Sequence, residues 1–284
     1  MAMIDTHTHL YLEQFDDDRT AVVQRALDAG VQAMLLPNIH SKTIRPMLAL
    51  CDAFPQQVFP MMGLHPTDVK EDYQQELEIV KQQIDTGRYI AIGETGIDLY
   101  WDKTWLSQQQ LSLEAQVQMA KDYHLPIVLH VRDSFDEVFE IIGAAAGENL
   151  TGVFHCFTGN REQAEKIIGW GFKLGIGGVV TYKNSGLAEV LSGIDLQHLL
   201  LETDAPFLAP VPHRGKRNES AYLKLIAAKL AEIKNVSVGE VARVTSQSAR
   251  EVFKDMNKPR RRRGAEETKG INHGDTEARR KQKE

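Results

Sequence analysis

The chain is organised by an alternation that leaves few folds open. Eight short runs rich in β-branched and other apolar residues occur at Ala2–Thr6, Gln32–Asn38, Val58–Leu64, Tyr89–Glu94, Pro126–His130, Gly152–His155, Phe172–Gly177 and Leu199–Glu202. Amphipathic stretches with helical apolar spacing separate them, at Asp17–Ala29, Lys42–Phe54, Tyr73–Asp85, Leu106–His124, Ser134–Ala146, Arg161–Gly169 and Leu187–Ser192. Two more, Ser220–Lys234 and Val238–Lys254, follow the last run. Strands that alternate with helices pair in parallel, and eight such units close most simply into a TIM-type (β/α)8 barrel. An open doubly wound sheet is the alternative. The pattern fills residues 1–257, close to the roughly 250 residues that such a barrel uses.

The pattern stops at Lys258. From there to Glu284 no apolar periodicity remains, Arg260, Arg261, Arg262 and Arg263 run together, and Ile271 is the one large aliphatic residue. Such a segment buries too little surface to offset the entropy of ordering, so residues 258–284 are expected to form a disordered basic tail. The tail holds 10 Lys and Arg against 5 Asp and Glu, leaving 23 against 34 in the body; the net charge of −6 therefore conceals a body at −11. A protein that wraps long duplex DNA carries a broad basic stripe, and a balance of −11 argues against one here. No segment approaches the roughly 18 uninterrupted apolar residues of a membrane span, and no basic segment followed by an apolar run marks a secretory signal. Cys51 and Cys156 are too few for a disulfide framework, so a reduced, cytoplasmic setting is expected.

Chemistry-bearing residues gather at the ends of the strand candidates, where a barrel keeps its active site. The first run ends in Asp5-Thr6-His7-Thr8-His9. Strand side chains two apart share a face, so His7 and His9 can converge on one ion. The third run ends in Gly63-Leu64-His65-Pro66 and the fourth in Gly93-Glu94-Thr95-Gly96. His130 and Arg132 lie at the end of the fifth, His155 and Cys156 at the end of the sixth, and Glu202-Thr203-Asp204-Ala205-Pro206 closes the eighth. Five of the ten histidines thus fall on one rim together with carboxylates, which separate structural roles do not account for.

Two ions explain this set better than one. A mononuclear zinc site uses three protein ligands and an open position, whereas six candidates converge here. Two divalent ions need a bridging anion, and Glu94 offers two oxygens from the middle of the strand order. His7, His9 and Asp204 would hold one ion, and His130 and His155 the other. Water shared between two cations loses a proton near neutral pH and becomes a nucleophile. Asp204, beside that water, is a candidate general base as well as a ligand.

These motifs, in this order, resemble the TatD family of metal-dependent deoxyribonucleases. The likeness extends from Met3 to about Met256 and includes Gly93-Glu94-Thr95-Gly96-Ile97-Asp98 and the loop Pro212-His213-Arg214-Gly215-Lys216-Arg217-Asn218-Glu219. The resemblance implies a metal-dependent hydrolase barrel of the amidohydrolase type over residues 1–257. It implies two divalent ions and hydrolysis of phosphodiesters from a 3′ end of single-stranded DNA. By similarity His7, His9, Glu94, His130, His155 and Asp204 are the metal ligands, Glu94 and Asp204 the catalytic carboxylates, and His65 a substrate-facing residue. The family has Pro after Asn-Glu in the basic loop; here Ser220 stands there, and a shifted helix start is expected.

Substrate contacts are expected from Arg132, whose planar guanidinium suits a phosphate, with an ion pair to Asp133 as the competing picture. Arg214, Lys216 and Arg217 lie in a loop beside the proposed site, and Arg214 is expected to contact substrate. Strand alternation turns Cys156 away from the rim, Asp98 is expected to make turn or outer hydrogen bonds only, and Tyr100, Trp101 and Trp105 are expected to pack against a helix. His40, His124, His198 and His273 are read as structural or exposed, and Gly175, Gly177 and Gly178 as permitting close backbone approach. Four imidazoles suit zinc, manganese, nickel or iron better than magnesium, whereas the family resemblance implies magnesium-supported activity. The expected partner is a single-stranded DNA end, met by a monomer. A binuclear amidohydrolase-type enzyme acting on a small phosphoester, amide or lactone is the alternative, and a nucleic-acid adaptor acting through the tail is a third reading.

Overall fold

The computed structural model describes residues 2–147 and 149–257; the tail from Lys258, expected to be disordered, lies outside the described residues. Among the described residues eight parallel strands form in the expected order: β1 (Met3–Asp5), β2 (Val31–Pro37), β3 (Val58–Met61), β4 (Ile92–Asp98), β5 (Ile127–Arg132), β6 (Gly152–Phe154), β7 (Lys173–Ile176) and β8 (Leu199–Leu201). Each is followed by its helix: α1 (Arg19–Asp28), α2 (Ile44–Ala53), α3 (Tyr73–Ile84), α4 (Leu106–Tyr123), α5 (Phe135–Ala145), α6 (Arg161–Gly169), α7 (Leu187–Ser192) and α8 (Leu223–Lys234). An additional helix, α9 (Val238–Val252), completes the body. Among the described residues no helix is long and apolar enough to cross a membrane.

The strands bond as β1-β2-β3 and β4-β5-β6-β7-β8, and two seams join these arcs. At one, Ile90 N–H donates to Pro60 O, Met62 N–H to Ala91 O and Gly93 N–H to Met62 O. At the other, Thr6 N–H donates to Leu201 O at 3.0 Å and Asp204 N–H to His7 O at 2.9 Å. The closed ring excludes the open-sheet alternative. Inside it Ile4, Leu35, Met61, Val128, Val153 and Leu200 share one apolar cluster with Phe253, which follows α9 and seals the lower end. Strand periodicity carries this inward row up to the rim, since two residues beyond Val128 stands His130 and two beyond Val153 stands His155.

Two local expectations need correcting. The fourth strand was expected over Tyr89–Glu94, but β4 runs on to Asp98, and its register against β5 shifts between Ile92 and Thr95. Glu94 therefore sits in an irregular stretch of the strand, not at its end. Gly96 permits the pairing beyond it, with φ of +142° and a space in which a Cβ would stand 1.9 Å from the His130 carbonyl oxygen. The second correction concerns Ser220. The helix expected from Ser220 begins only at Leu223, as α8, after a single 3-10 turn, Ser220–Tyr222; the Ser220 hydroxyl pairs with Thr8 Oγ1 at 3.3 Å.

Candidate metal centre

Six expected ligands meet at the upper rim. His7, His9, Glu94, His155 and Asp204 are buried and His130 is nearly so. The Glu94 carboxylate lies at the centre, and its two oxygens face different neighbours. Oε2 is 3.0 Å from His7 Nε2 and 3.6 Å from His9 Nε2. Oε1 is 2.9 Å from His130 Nδ1 and 3.0 Å from His155 Nε2. Asp204 Oδ1 completes the first group, 3.5 Å from His9 Nε2 and 3.9 Å from His7 Nε2. Ligand atoms within the sets His7, His9, Glu94 and His7, His155, Asp204 all lie within 4.8 Å of one another.

Outer partners aim these rings. The Tyr11 hydroxyl donates its one proton to the Pro37 carbonyl at 2.6 Å, so it accepts from His9 Nδ1–H at 3.0 Å. That fixes the His9 tautomer and leaves the Nε2 lone pair facing Glu94 and His7. His130 Nε2 meets Asp98 Oδ2 at 2.9 Å, so Asp98 makes the outer hydrogen bond expected of it. Behind His155, Glu202 Oε1 lies 3.3 Å from Nδ1 and accepts the Cys156 N–H. Asp5 ties β1 to the end of β8, accepting from Thr203 N–H at 2.9 Å and Thr203 Oγ1 at 2.6 Å. Nothing in a single sequence marks Tyr11 or Glu202 as partners of these rings. Adjacency to His9 and to the Thr203-Asp204 pair was the available signal.

The electrostatics suit cation capture. Burial by itself raises the Glu94 carboxyl, but His155, His7 and His65 beside it hold it well below the usual carboxylate range. Asp204 is held down in the same way: burial opposes ionisation, and His9, His155 and His7 outweigh it. Burial pushes His155 down, but Glu94 and Glu202 bring it well above the ordinary imidazole value. Burial and the charge of His155 lower His7. Two ionised carboxylates and convergent imidazole nitrogens, His7 and His9 Nε2 only 3.2 Å apart, match the donor chemistry of divalent transition ions.

His65 differs from the other rim histidines. The Thr67 N–H donates to its Nδ1 at 3.2 Å, so in the neutral ring Nε2 carries the proton, 3.4 Å from Glu94 Oε1. It stands at the mouth of the site as a donor in that tautomer, and with Glu94 and His130 it forms a third set whose ligand atoms all lie within 4.8 Å of one another. The site opens into a cavity of about 660 Å³ lined among others by His65, Trp101, Arg132, Cys156, Phe207 and Leu208. Arg132 makes no ion pair with Asp133; its guanidinium lies 3.9 Å from the Tyr100 ring centroid and 5.4 Å from that of Trp101.

Other residues stand elsewhere than expected. Arg214 does not line this cavity. It lies over the Tyr182 ring at 4.5 Å and borders a separate hollow of about 270 Å³ that adjoins at Val179. Arg217 is held by Asp18 at 2.8 Å and by the face of Phe15, which pins the loop after β8 to the start of α1. Cys156 lines the cavity, because β6 ends at Phe154 and a φ of +46° at Cys156 breaks the strand alternation that would have turned it away. Tyr100 and Trp101, expected to pack a helix, are exposed. Gly175 admits the Glu202 carboxylate: a Cβ there would lie 2.2 Å from Glu202 Oε2.

Comparison with known proteins shows the family and the fold. The family profile described as TatD related DNase matches residues 4–254. The chain is 35% identical over 253 residues to YabD, a metal-dependent hydrolase of Bacillus subtilis, covering 89% of this chain and 99% of that protein. It is 31% identical over 258 residues to the 3′-5′ ssDNA/RNA exonuclease TatD of Pectobacterium parmentieri, again 89% of this chain and 99% of that one. The crystal structure of YjjV, a TatD homologue from Escherichia coli, superimposes with a TM-score of 0.84 at 31% identity, covering 89% of this chain and 98% of that one. The Escherichia coli phosphotriesterase homology protein, at 14% identity and a TM-score of 0.63, shares the fold.

Proposed function

Because the chain belongs to the TatD-related DNase family, we propose that this metal-dependent hydrolase of ester bonds removes nucleotides from the 3′ ends of single-stranded DNA, using two divalent ions. The observation that carries the proposal is the division of Glu94, one oxygen toward His7 and His9 and the other toward His130 and His155. A carboxylate so placed suits a bridge, and the second oxygen would have no evident use in a one-ion site. His7, His9 and Asp204 would hold one ion, His130 and His155 the other. Four imidazoles and two carboxylates favour zinc or manganese over magnesium. When bound, the ions would acidify a water and offset charge on the phosphate oxygens.

The chain's own residues would do the rest. Asp204, ionised and at the edge of the cavity, would accept the proton of the attacking water. His65 would donate its Nε2 proton to a phosphate oxygen, and Arg132 would give the edge of its guanidinium to the next phosphate. Tyr11, Asp98 and Glu202 would keep the imidazoles in register. The same proposal places the enzyme in the cytoplasm, with residues 1–257 as the catalytic unit.

Metal analysis of purified protein, followed by assay of linear single strands labelled at either end, tests this. About two ions per chain are expected, with mononucleotides released from the 3′ end and closed circular single strands left intact. Efficient cutting of circles, or a content below one ion per chain under all loading conditions, would refute it. Turnover confined to small phosphoesters, amides or lactones would support the amidohydrolase-type alternative.

A further inference from the structure

The aromatic residues beside the cavity have no structural task that accounts for them. Among the described residues seven large apolar side chains are exposed, and Trp101, Phe207 and Leu208 of these line the metal cavity. Trp101 is 70% exposed and Tyr100 54%. Their rings meet edge to face at 4.9 Å, and apolar surface concentrated at one mouth marks a binding site. The shelf is also fixed in place. Asp98 Oδ1 accepts the N–H of Tyr100 at 3.0 Å and of Trp101 at 3.3 Å, while its Oδ2 meets His130.

We propose that Trp101, with Tyr100 beneath Arg132, is a stacking subsite for the unpaired base on the 5′ side of the bond being cut. The proposal rests on the nuclease reading above and names its substrate class as frayed or single-stranded ends. The Arg132 guanidinium stands 3.9 Å from the Tyr100 ring centroid and, among the described residues, is given to no protein acceptor. Its donors are therefore available to a phosphate while the cation stays against the aromatic pair. Val131, Arg132 and Thr158 line both the metal cavity and a neighbouring one of about 690 Å³, so a strand has a way out of the site across Arg132. That second cavity is bordered by Asp133, Asp136 and Glu137, which repel a phosphate and leave the backbone at Arg132. A base paired in a duplex has no free face to offer, whereas every unpaired base does, so the subsite selects strandedness and not sequence.

The test uses metal-loaded protein and a single-stranded decanucleotide, either cleavable or with phosphorothioate links that resist hydrolysis. Each is also made with an abasic residue at the penultimate 3′ position. Trp101→Ala is expected to weaken binding of the resistant strand and raise KM for the cleavable one on the order of tenfold, with kcat altered less than about twofold. Trp101→Phe should recover most of this loss, and Leu111→Ala, an exposed site on α4, should change nothing. The abasic residue should cost the wild type the same factor and cost Trp101→Ala nothing further. Wild-type affinity in Trp101→Ala, or an abasic penalty undiminished in that variant, overturns the subsite. If the loaded enzyme cleaves strands but binds abasic and intact ones alike, the subsite fails and the nuclease reading stands. If no phosphodiester is cleaved while base-dependent binding persists, the nuclease reading fails and takes the assignment to a scissile bond with it, while base stacking on Trp101 stands.

Discussion

Gly175→Ala is the sharpest perturbation of the centre that avoids every ligand. The Cβ it adds would lie 2.2 Å from Glu202 Oε2 and 2.7 Å from Glu202 Cδ, whereas real Cβ contacts essentially never fall below 3.0 Å. The carboxylate must therefore withdraw by about 0.8 Å, the difference between 3.0 and 2.2 Å. Glu202 is fully buried, so the movement strains the wall and disturbs both of its contacts, the Cys156 N–H and His155 Nδ1. Overpacking of this kind costs about 1–3 kcal/mol, or roughly 2–12 °C in Tm for a chain of this size. Loss of an outer partner of a metal-bound imidazole weakens metal affinity about 10- to 100-fold. Calorimetry measures the first effect and zinc titration the second. A compensating change separates them: Glu202→Asp added to the Gly175→Ala variant shortens the side chain by one bond, about 1.5 Å, and should recover Tm while leaving metal affinity low. A variant with lowered Tm but wild-type metal affinity would show that Glu202 does not orient His155. Unchanged Tm would show that the space at Gly175 is not needed.

Other expectations follow from the outer contacts. Tyr11→Phe removes the acceptor of His9 Nδ1–H and strands the Pro37 carbonyl; metal affinity should fall about tenfold or more and stability by about 1–3 kcal/mol, read by metal titration and urea denaturation. Arg132→Lys keeps the charge but loses the planar fork over Tyr100, so KM for single strands should rise about fivefold with kcat nearly constant, an effect of about 1 kcal/mol. Asp18 supplies the pH dependence: hydrogen bonds from Arg217, outweighing its slight burial, lower its carboxyl from 3.8 to about 2. A depressed folded value stabilises fully above pH 3.8 and is lost as pH falls through about 2. Asp18→Asn should flatten the fall in stability over that window, by less than about 1 kcal/mol because the pair is partly exposed. An unaltered slope in urea midpoints would remove Asp18 from the account.

The sequence discloses most where a side chain's direction follows from strand periodicity. His130 and His155 are legible because the inward row of β5 and β6 runs unbroken to the rim, and His7 and His9 share a face by the same rule. Glu94 is legible as a residue type, but the register shift in β4 that places it is not, since an irregular stretch has no period to read. Strand alternation misplaces Cys156 for the complementary reason: its own left-handed backbone, with φ of +46°, ends the alternation there. Tyr100 and Trp101 show that aromatic composition does not distinguish packing from display. Arg214 shows that nearness in sequence to a rim loop does not place a long side chain in the cavity. Tyr11 stands close in sequence to the ring it aims, but Asp98 and Glu202 act on rings far from them along the chain, a relation that only the closed barrel creates.

The charge of the molecule can be reconciled with a polyanionic substrate only locally. A body at −11 repels a nucleic-acid backbone, and no broad basic face offsets this among the described residues at the rim, where Arg132 is the one arginine or lysine bordering the metal cavity. On the proposed reading, two divalent cations would balance the four carboxylates that border the cavity, Asp68, Glu94, Asp98 and Asp204, and with Arg132 would reverse the sign of the potential inside the cavity alone. With a screening length of about 8–10 Å at ordinary ionic strength, that reversal reaches roughly a nucleotide or two from the ions. A strand end can present its terminal linkage there while the remainder stays in solvent. An internal linkage brings charged backbone on both sides against an acidic surface. The same body that disfavours wrapping thus favours ends, and stacking on Trp101 offers affinity that carries no charge.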